Sequence, residues 1–565
     1  MIGCFAMTEL AHGSNVAGLE TTATFDPETD EFIINTPHLG ATKWWIGGAA
    51  SSATHAAVFA QMIVNGKRYG VKTFVVQLRD TKTFTLQPGV TIGDIGKKMG
   101  RDGIDNGYIQ FTFVRVPRAA LLMKYTQVTR EGKVTEPPLA QLTYGALLGG
   151  RTAMVADSSN TAKKALTIAV RYAAVRRQFA QQGNSIETQL LDYPIHQRRL
   201  LPLVAQAVAL NFTGMKLQEM YEDMVESLER LKPGDPSLND TLEKLKETHA
   251  TSAGLKAFCT WACLDTIERC RQACGGHGYS AYSNLPAMFN DFAVQCTWEG
   301  DNTILSLQAG RALVSSYQGA VKGAKLPPGM QYLSQPGVLA AKSDDSLSLE
   351  DIEQAFNTVA ANVVKKAAIE YAENRKKGMN KEDAMEACSQ SRFIAAKLHT
   401  ISYIYKMNRK AVEGLEASAE KDALVTTCKL YGLWEVEELQ GWFLKYGYFN
   451  GAQIDRVQVQ VDEHCAEIRK YAIPLIDSFA LSDHIINSPL GKYDGSVYES
   501  YFAQVQAANQ AAKEHPYFNR LIKPLLERNT DDISDLGADM DLDPEIEQLA
   551  RKAAKAAKPP VTRED

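Results

Sequence analysis

Glu299 stands in the run Cys296-Thr297-Trp298-Glu299-Gly300-Asp301-Asn302-Thr303-Ile304, downstream of Gly275-Gly276-His277-Gly278-Tyr279. A carboxylate at the entrance of a helix, flanked by apolar residues, suits removal of a proton from carbon. Apolar surroundings disfavour its ionised form and lift its pKa toward working pH. The same residue also fits a plainer role, an acid complementing a helix dipole. His277 sits in the glycine loop and could be taken for a base. With Glu299 at hand, a structural or cofactor-edge role suits it better. Cys259, Cys263, Cys270 and Cys274 fall on one stripe of a predicted helix. A single helix face closes poorly into a tetrahedral metal site, so they read as buried apolar thiols, and no metal is expected.

Two kinds of element must position these groups. The first part of the chain reads as β structure: Leu19 to Phe25 and Glu31 to Thr36 are β-prone runs joined by Asp26-Pro27-Glu28-Thr29-Asp30. Tyr108 to Val114 alternates, with Ile109, Phe111 and Phe113 on one face. A β-barrel or sandwich follows. From about Leu139 the period becomes helical: Leu139 to Phe179, Ile186 to Leu231, Leu242 to Cys274 and Thr303 to Val321 suggest a bundle. Helical periodicity resumes from Ser348 to about Glu527. The fold class is therefore mainly α with a β domain (α+β). The expected divisions are a β domain over 1–135, a helical bundle over 136–324 carrying Glu299, a linker over 325–347, a second helical domain over 348–530 and a tail over 531–565.

Composition narrows the function. With 565 residues, 45% hydrophobic and 22% charged, the chain can bury a large core without metals or disulfides. A net charge of -5 gives no reason to expect nucleic acid. Nine cysteines are too sparse for a disulfide scaffold. Ile46 to Val64, the most apolar stretch, is interrupted by polar residues, so no membrane span is expected. The start shows no secretory signal. No Gly-x-Gly-x-x-Gly opens a helix after a strand, which argues against an NAD site.

The ordered motifs are more specific. Met7-Thr8-Glu9-Leu10-Ala11-His12-Gly13-Ser14-Asn15, Lys43-Trp44-Trp45-Ile46-Gly47-Gly48, the glycine loop at 275–279 and Thr297-Trp298-Glu299-Gly300-Asp301-Asn302-Thr303 resemble the flavin-dependent acyl-CoA oxidases, relatives of the acyl-CoA dehydrogenases. The resemblance implies FAD as cofactor and a β domain, a helical bundle and a second helical domain in that order. It implies Glu299 as catalytic base and Trp45 as a wall against the flavin ring, with Thr8 and Ser14 at flavin and pyrophosphate. In Tyr172-Ala173-Ala174-Val175-Arg176-Arg177-Gln178-Phe179, Arg176 would reach the pyrophosphate of a neighbouring subunit's FAD, with Phe179 packed nearby. Gln272, Gly275, Gly276 and Gly278 would approach the adenosine end. A homodimer or higher oligomer follows.

Gly47 replaces the hydroxyl residue usual in the dehydrogenases and leaves room for dioxygen. Glu299-Gly300-Asp301-Asn302 matches the oxidases rather than the dehydrogenases' Glu-Gly-Thr. Members carry a helical domain before the β domain, whereas Ile2 to Met7 already resembles the strand leading to Thr8. Loss of that domain is expected to leave apolar surface exposed. The family is largely peroxisomal, although Arg563-Glu564-Asp565 is not a Ser-Lys-Leu-type signal. The implied reaction is oxidation of fatty acyl-CoA to trans-2-enoyl-CoA, with oxygen reduced to hydrogen peroxide. An acyl-CoA dehydrogenase using an electron-transfer flavoprotein and a catalytically silent scaffold subunit are the alternatives.

Overall fold

A computed structural model of the chain describes residues 1–124, 126–136, 146–180, 183, 185–231, 235, 237–334, 341, 347–509, 515–527, 548, 551 and 552. Its β part comprises β1 (Gly3–Ala6), β2 (Thr22–Asp26), β3 (Glu31–Asn35), β4 (Lys43–Gly47), β5 (His55–Val64), β6 (Lys67–Gln77), β7 (Val90–Asp94), β8 (Asn106–Phe111) and β9 (Val114–Pro117). β5 organises the larger sheet. Its first half pairs in parallel with β1 and its second half with β2, while β6 lies antiparallel along its other edge. β2, β3 and β9 then extend the sheet. β4, β8 and β7 form a second, three-stranded sheet. Ala56, Val58, Ala60, Met62 and Val64 are buried, the period of two that puts one face of β5 into a core.

The hairpin expected around Asp26–Asp30 forms, with β2 and β3 antiparallel. The run from Tyr108 to Val114 does not stay one strand. Ile109 and Phe111 are buried, but Phe113 is 68% exposed with φ of 48°. β8 and β9 belong to different sheets, and the chain turns at Thr112–Phe113 to pass between them. The turn cancels the alternation.

Beneath β4 lies a buried ion pair. Lys43 Nζ donates to Glu9 Oε1 at 3.1 Å and to the carbonyls of Met7 and Phe59. Glu9 also accepts from the backbone of Glu20 and Thr21 and from the Thr21 hydroxyl. On Glu9, burial is outweighed by Lys43 and these hydrogen bonds, which hold the carboxyl below its usual range. On Lys43 burial wins, and its pKa is pushed down to about 8. The pair pins the segment after β1 to the start of β4.

The helical part opens with α1 (Ala146–Val175), α2 (Pro194–Arg230) and α3 (Leu238–Ala273), followed by α4 (Gly276–Tyr279), α5 (Leu285–Ala293) and α6 (Asn302–Val321). The expected start of the first helix, 139–145, lies outside the described residues. The second begins later than Ile186. Arg177 and Gln189 pair as an antiparallel bridge, and Pro194 opens the helix, a position that needs no N–H partner. α2 is long and apolar enough to cross a membrane, yet 78% of its most apolar window is buried inside the fold. Cys259, Cys263, Cys270 and Cys274 are all buried, with burial pushing their thiols up.

Further helices are α7 (Leu349–Lys376), α8 (Lys381–Glu386), α9 (Ser389–Glu413), α10 (Ala419–Glu438), α11 (Gln440–Lys445), α12 (Gly451–Arg469), α13 (Ala472–Asp477), α14 (Asp483–Ile486) and α15 (Val497–Ala508). Ser348 and Asp351 close a capping box on α7. One apolar core runs from Val155 on α1 to Val497 on α15, so the two sets of helices share an interior. Met1–Tyr501 forms one compact unit and Phe502–Asp565 a second. Pro328–Ser334 departs from the linker reading: it is a 3-10 helix whose Met330, Tyr332 and Leu333 are buried in that core. Positions 335–340 and 342–346 of that segment, and most of the expected tail, lie outside the described residues.

Candidate active site

Glu299 occupies the turn between Cys296 and α6. Its φ is 55°, a left-handed conformation that L residues other than Gly seldom adopt. Gly300 follows with φ of 107°, and a β-carbon there would lie 2.7 Å from Leu305. Asp301 then caps α6 by accepting from the backbone N–H of Thr303 and Ile304. The dipole-complementing role open to Glu299 therefore belongs to Asp301, which frees Glu299 to point elsewhere.

Two buried cations hold this turn. Lys256 on α3 donates from Nζ to the Gly300 carbonyl at 2.7 Å and to Asn302 Oδ1 at 2.9 Å. Arg151 on α1 donates from Nε to the Glu299 carbonyl at 3.3 Å, while its Nη1 is buried without a partner. Gly150 makes room beside the carboxyl group: a β-carbon there would meet Glu299 Cδ and Oε2 at 3.1 Å. Glu299 as a residue is solvent-accessible, yet protein packed around its carboxyl group raises the pKa by burial, with Arg151 and Lys256 pulling it back. One face is thus open to a ligand and the other is dry.

Trp298 ties the turn to the β part. Its Nε1 donates to Gln295 Oε1 at 2.9 Å, and Gln295 Nε2 donates to Asp157 Oδ2 at 2.6 Å. The Arg101 guanidinium lies 4.7 Å from the Trp298 ring, and Arg101 N and Nε donate to Asp291. Gly100 is needed for this approach, because a β-carbon would sit 2.4 Å from the Asn290 carbonyl oxygen. The loop after β7 is thereby fastened beside Glu299.

The residues expected to face a flavin gather on β4 and its neighbour. The Thr8 hydroxyl donates to the Trp44 carbonyl at 2.5 Å, and Trp44 N donates to the Thr8 carbonyl. Trp44 stacks on Tyr108, which leaves Trp45 to turn outward through a bulge at φ of 66°. Trp45 is 59% exposed, so it is a surface indole rather than a core residue. Gly47 is exposed, with no atom within 4 Å of where a β-carbon would stand. Ser14 is exposed just before a short 3-10 turn.

A separate cleft of about 440 Å³ collects Arg176, Gln272, Gly275 and Gly276 with Tyr172, His196, Arg199 and His277. His196 Nε2 is buried there without a partner, and burial together with Arg199 lowers its pKa to about 4. Arg176 donates to the Tyr498 hydroxyl at 3.3 Å. Phe179 is not among the cleft residues; it stands 78% exposed on a hairpin arm closed by the bonds between Gln178, Phe179 and Thr188. Gly278 is buried, and a β-carbon there would lie 1.9 Å from the Arg271 carbonyl oxygen, so its need for glycine is contact with α3.

Sequence reasoning missed Gly150, Arg151, Lys256, Arg199 and His196. Two signals were present. Gly149-Gly150 inside a helical pattern asks for a packing reason, and Lys256 is a lone cation in the apolar stretch Ser252 to Thr260.

Comparison with known proteins decides what this arrangement belongs to. Residues 4–114 match the acyl-CoA dehydrogenase middle domain, 144–314 the acyl-CoA oxidase C-alpha1 domain and 348–527 the acyl-CoA oxidase domain. Acyl-coenzyme A oxidase 2 of Yarrowia lipolytica is 49% identical over 541 residues, covering 94% of this chain and 77% of that protein. The chain belongs to the acyl-CoA oxidase family. Acyl-CoA oxidases are FAD enzymes, and this oxidase acts on acyl-CoA in fatty acid β-oxidation with oxygen as acceptor. The acyl-coenzyme A oxidase of Debaryomyces hansenii is 44% identical, with 93% of this chain and 76% of that protein covered. The crystal structure of acyl-CoA oxidase 1 from Yarrowia lipolytica superposes with a TM-score of 0.89 at 46% identity, over 96% of this chain and 79% of that one. That of Caenorhabditis elegans acyl-CoA oxidase-1, complexed with FAD and ATP, gives 0.87 at 34% identity, over 94% and 78%.

Proposed function

We propose that Glu299 is the catalytic base of this acyl-CoA oxidase, removing the α-proton of a fatty acyl thioester. The observation that carries the reading is its carboxyl group: half-enclosed against Gly150, raised in pKa by burial, and open on one side. The Glu299 backbone N–H donates to the thioester carbonyl and so stabilises enolate charge as the proton leaves. Arg151 and Lys256 sit behind the turn and keep enough of the carboxylate ionised to accept that proton.

FAD suits the residues present. Trp45 offers a flat exposed wall, Gly47 an open space, and the cleft two cations, the Gln272 amide and the unpartnered His196 Nε2. When bound, FAD would supply the two-electron chemistry, as acceptor of the β-hydrogen as hydride and donor of two electrons to dioxygen, giving hydrogen peroxide. Trp45 and Thr8 would hold the flavin end. Arg176 and Gln272, with the backbone at Gly275 and Gly276, would hold phosphate and adenosine, supplied across a homodimer by the partner subunit. Phe179 and Ser14 belong to the same contacts, and Gly278 to the packing beneath the loop. The proposed functional layout keeps the divisions 1–135, 136–324, 348–530 and 531–565, with Pro328–Ser334 of the 325–347 segment packed into the helical core. As in the family, the site of action is the peroxisome.

The test is anaerobic addition of palmitoyl-CoA to the purified flavoprotein, followed by air. Bleaching of the flavin and its recovery with peroxide support the oxidase reading. Bleaching in Glu299→Gln at the wild-type rate removes Glu299 as the base.

A further inference from the structure

Lys256 is a fully buried lysine with no carboxylate bonded to it among the described residues. Arg151, also buried, is in the same position, its one hydrogen bond going to a backbone carbonyl. Burying a cation costs several kcal/mol unless it is paired or fully hydrogen-bonded. Arg151 lies on α1 and Lys256 on α3. They converge on consecutive carbonyls, Glu299 and Gly300, from two different helices. Those carbonyls belong to the one left-handed pair in the turn. A non-glycine residue in that region costs about 1–3 kcal/mol and persists only where its surroundings over-determine it.

We infer that Lys256, seconded by Arg151, is a positioning residue for the reaction, clamping the Glu299–Gly300 carbonyls so that the carboxylate is aimed outward and kept ionised. The inference rests on the reading of Glu299 as base. Asn302 completes the clamp: it accepts from Lys256 and donates to the Ala257 carbonyl and the Thr260 hydroxyl, locking the lysine's partner to the same helix. The ionisable groups acting on Lys256 are Cys296, Arg151, Asp301 and Glu299, and with burial foremost they leave its pKa at about 8. His249 lies beyond Arg151, and its pKa falls to about 4 through burial and that arginine, so it is neutral at working pH. Lys256 therefore carries its charge below about pH 8 and loses it above.

Lys256→Met keeps an unbranched side chain as far as Cε and removes the charge and the Nζ donor of both hydrogen bonds. The FAD-bound protein is expected to keep its flavin content, with KM for palmitoyl-CoA within about threefold and anaerobic flavin reduction slowed about tenfold or more at pH 7. Its acid limb moves to higher pH, because Glu299 loses a stabilising cation. The wild type is expected to lose rate above about pH 8, and the variant to lack that alkaline limb. Infrared difference titration of the Glu299 carboxyl in flavin-free protein gives the same displacement without turnover. A merely structural lysine would lower the melting temperature and move none of these. If Lys256→Met does not fold, Lys256→Gln, which keeps a donor but no charge, should show the same displaced acid limb. Glu299→Gln is measured alongside. An active Glu299→Gln overturns the base assignment and this inference with it. An inactive Glu299→Gln, with wild-type rate and limbs in the Lys256 variants, overturns the role of Lys256 alone.

Discussion

Gly150 and Glu299 meet across the interface of α1 with the turn before α6: a β-carbon at position 150 would come within 3.1 Å of the carboxyl carbon and of Oε2. Glycine within a helix sacrifices about 1 kcal/mol against alanine. Here it leaves the carboxylate a seat. Gly150→Ala is therefore expected to stabilise α1 locally yet displace Glu299, slowing anaerobic flavin reduction about tenfold or more, as small misplacements of reacting groups do. Stopped-flow bleaching by palmitoyl-CoA checks this, and an unchanged rate would show that the seat has no bearing on catalysis.

Replacing Glu299 by Gln removes the proposed proton acceptor and preserves shape. Flavin reduction should fall by about 10²- to 10⁴-fold with FAD still bound. The pH dependence has a definite sign. Burial raises the Glu299 pKa above its usual range, and only the ionised form accepts a proton. Wild-type activity should rise with pH through that raised value and fall below it. A rate–pH profile flat through the acid range would contradict the assignment.

Lys43 and Glu9 are both fully buried, and removing one leaves the other charged without a partner. Lys43→Met should destabilise the protein by about 3–5 kcal/mol. Denaturant unfolding followed by circular dichroism measures it. Glu9 has a depressed pKa, so its share of stability is present above the unfolded carboxylate value and lost as pH falls through the folded one. Lys43 works the other way: burial lowers its pKa to about 8, so its cost builds as pH falls from the ordinary lysine value and is full below about pH 8. The lysine variant should therefore lose its penalty progressively in acid, as Glu9 becomes protonated.

Arg176 and Arg199 bring two cations to one cleft beside Gln272. Loss of one charge-assisted hydrogen bond to a phosphate weakens binding by about 1.5–3 kcal/mol, roughly ten- to a hundredfold. Arg176→Met is expected to release FAD by that factor, read by recovery of free-flavin fluorescence on dilution. Arg199→Met should show a smaller effect of the same sign. Unaltered FAD retention in both variants would place the dinucleotide elsewhere.

The hairpin at Asp26–Asp30, the long helices and the family were legible from sequence because each depends on local rules: alternation, helical period, turn residues and an ordered set of motifs. Phe113 was misread because a strand pattern cannot report that its chain is about to change sheets. Pro328–Ser334 was misread because prolines and glycine mark a break in helix without revealing that Met330, Tyr332 and Leu333 find a core to enter.

The sequence by itself determined the family, the α+β layout and the carboxylate, since those are carried by residue types in order along the chain. The tertiary structure alone decided what surrounds that carboxylate. Gly150, Arg151 and Lys256 come from helices far away in sequence, and their meeting at Glu299 depends on the packing of α1 and α3 against the turn before α6. Burial and electrostatic fields act through space, so the pKa of Glu299 could be set only once those helices had packed.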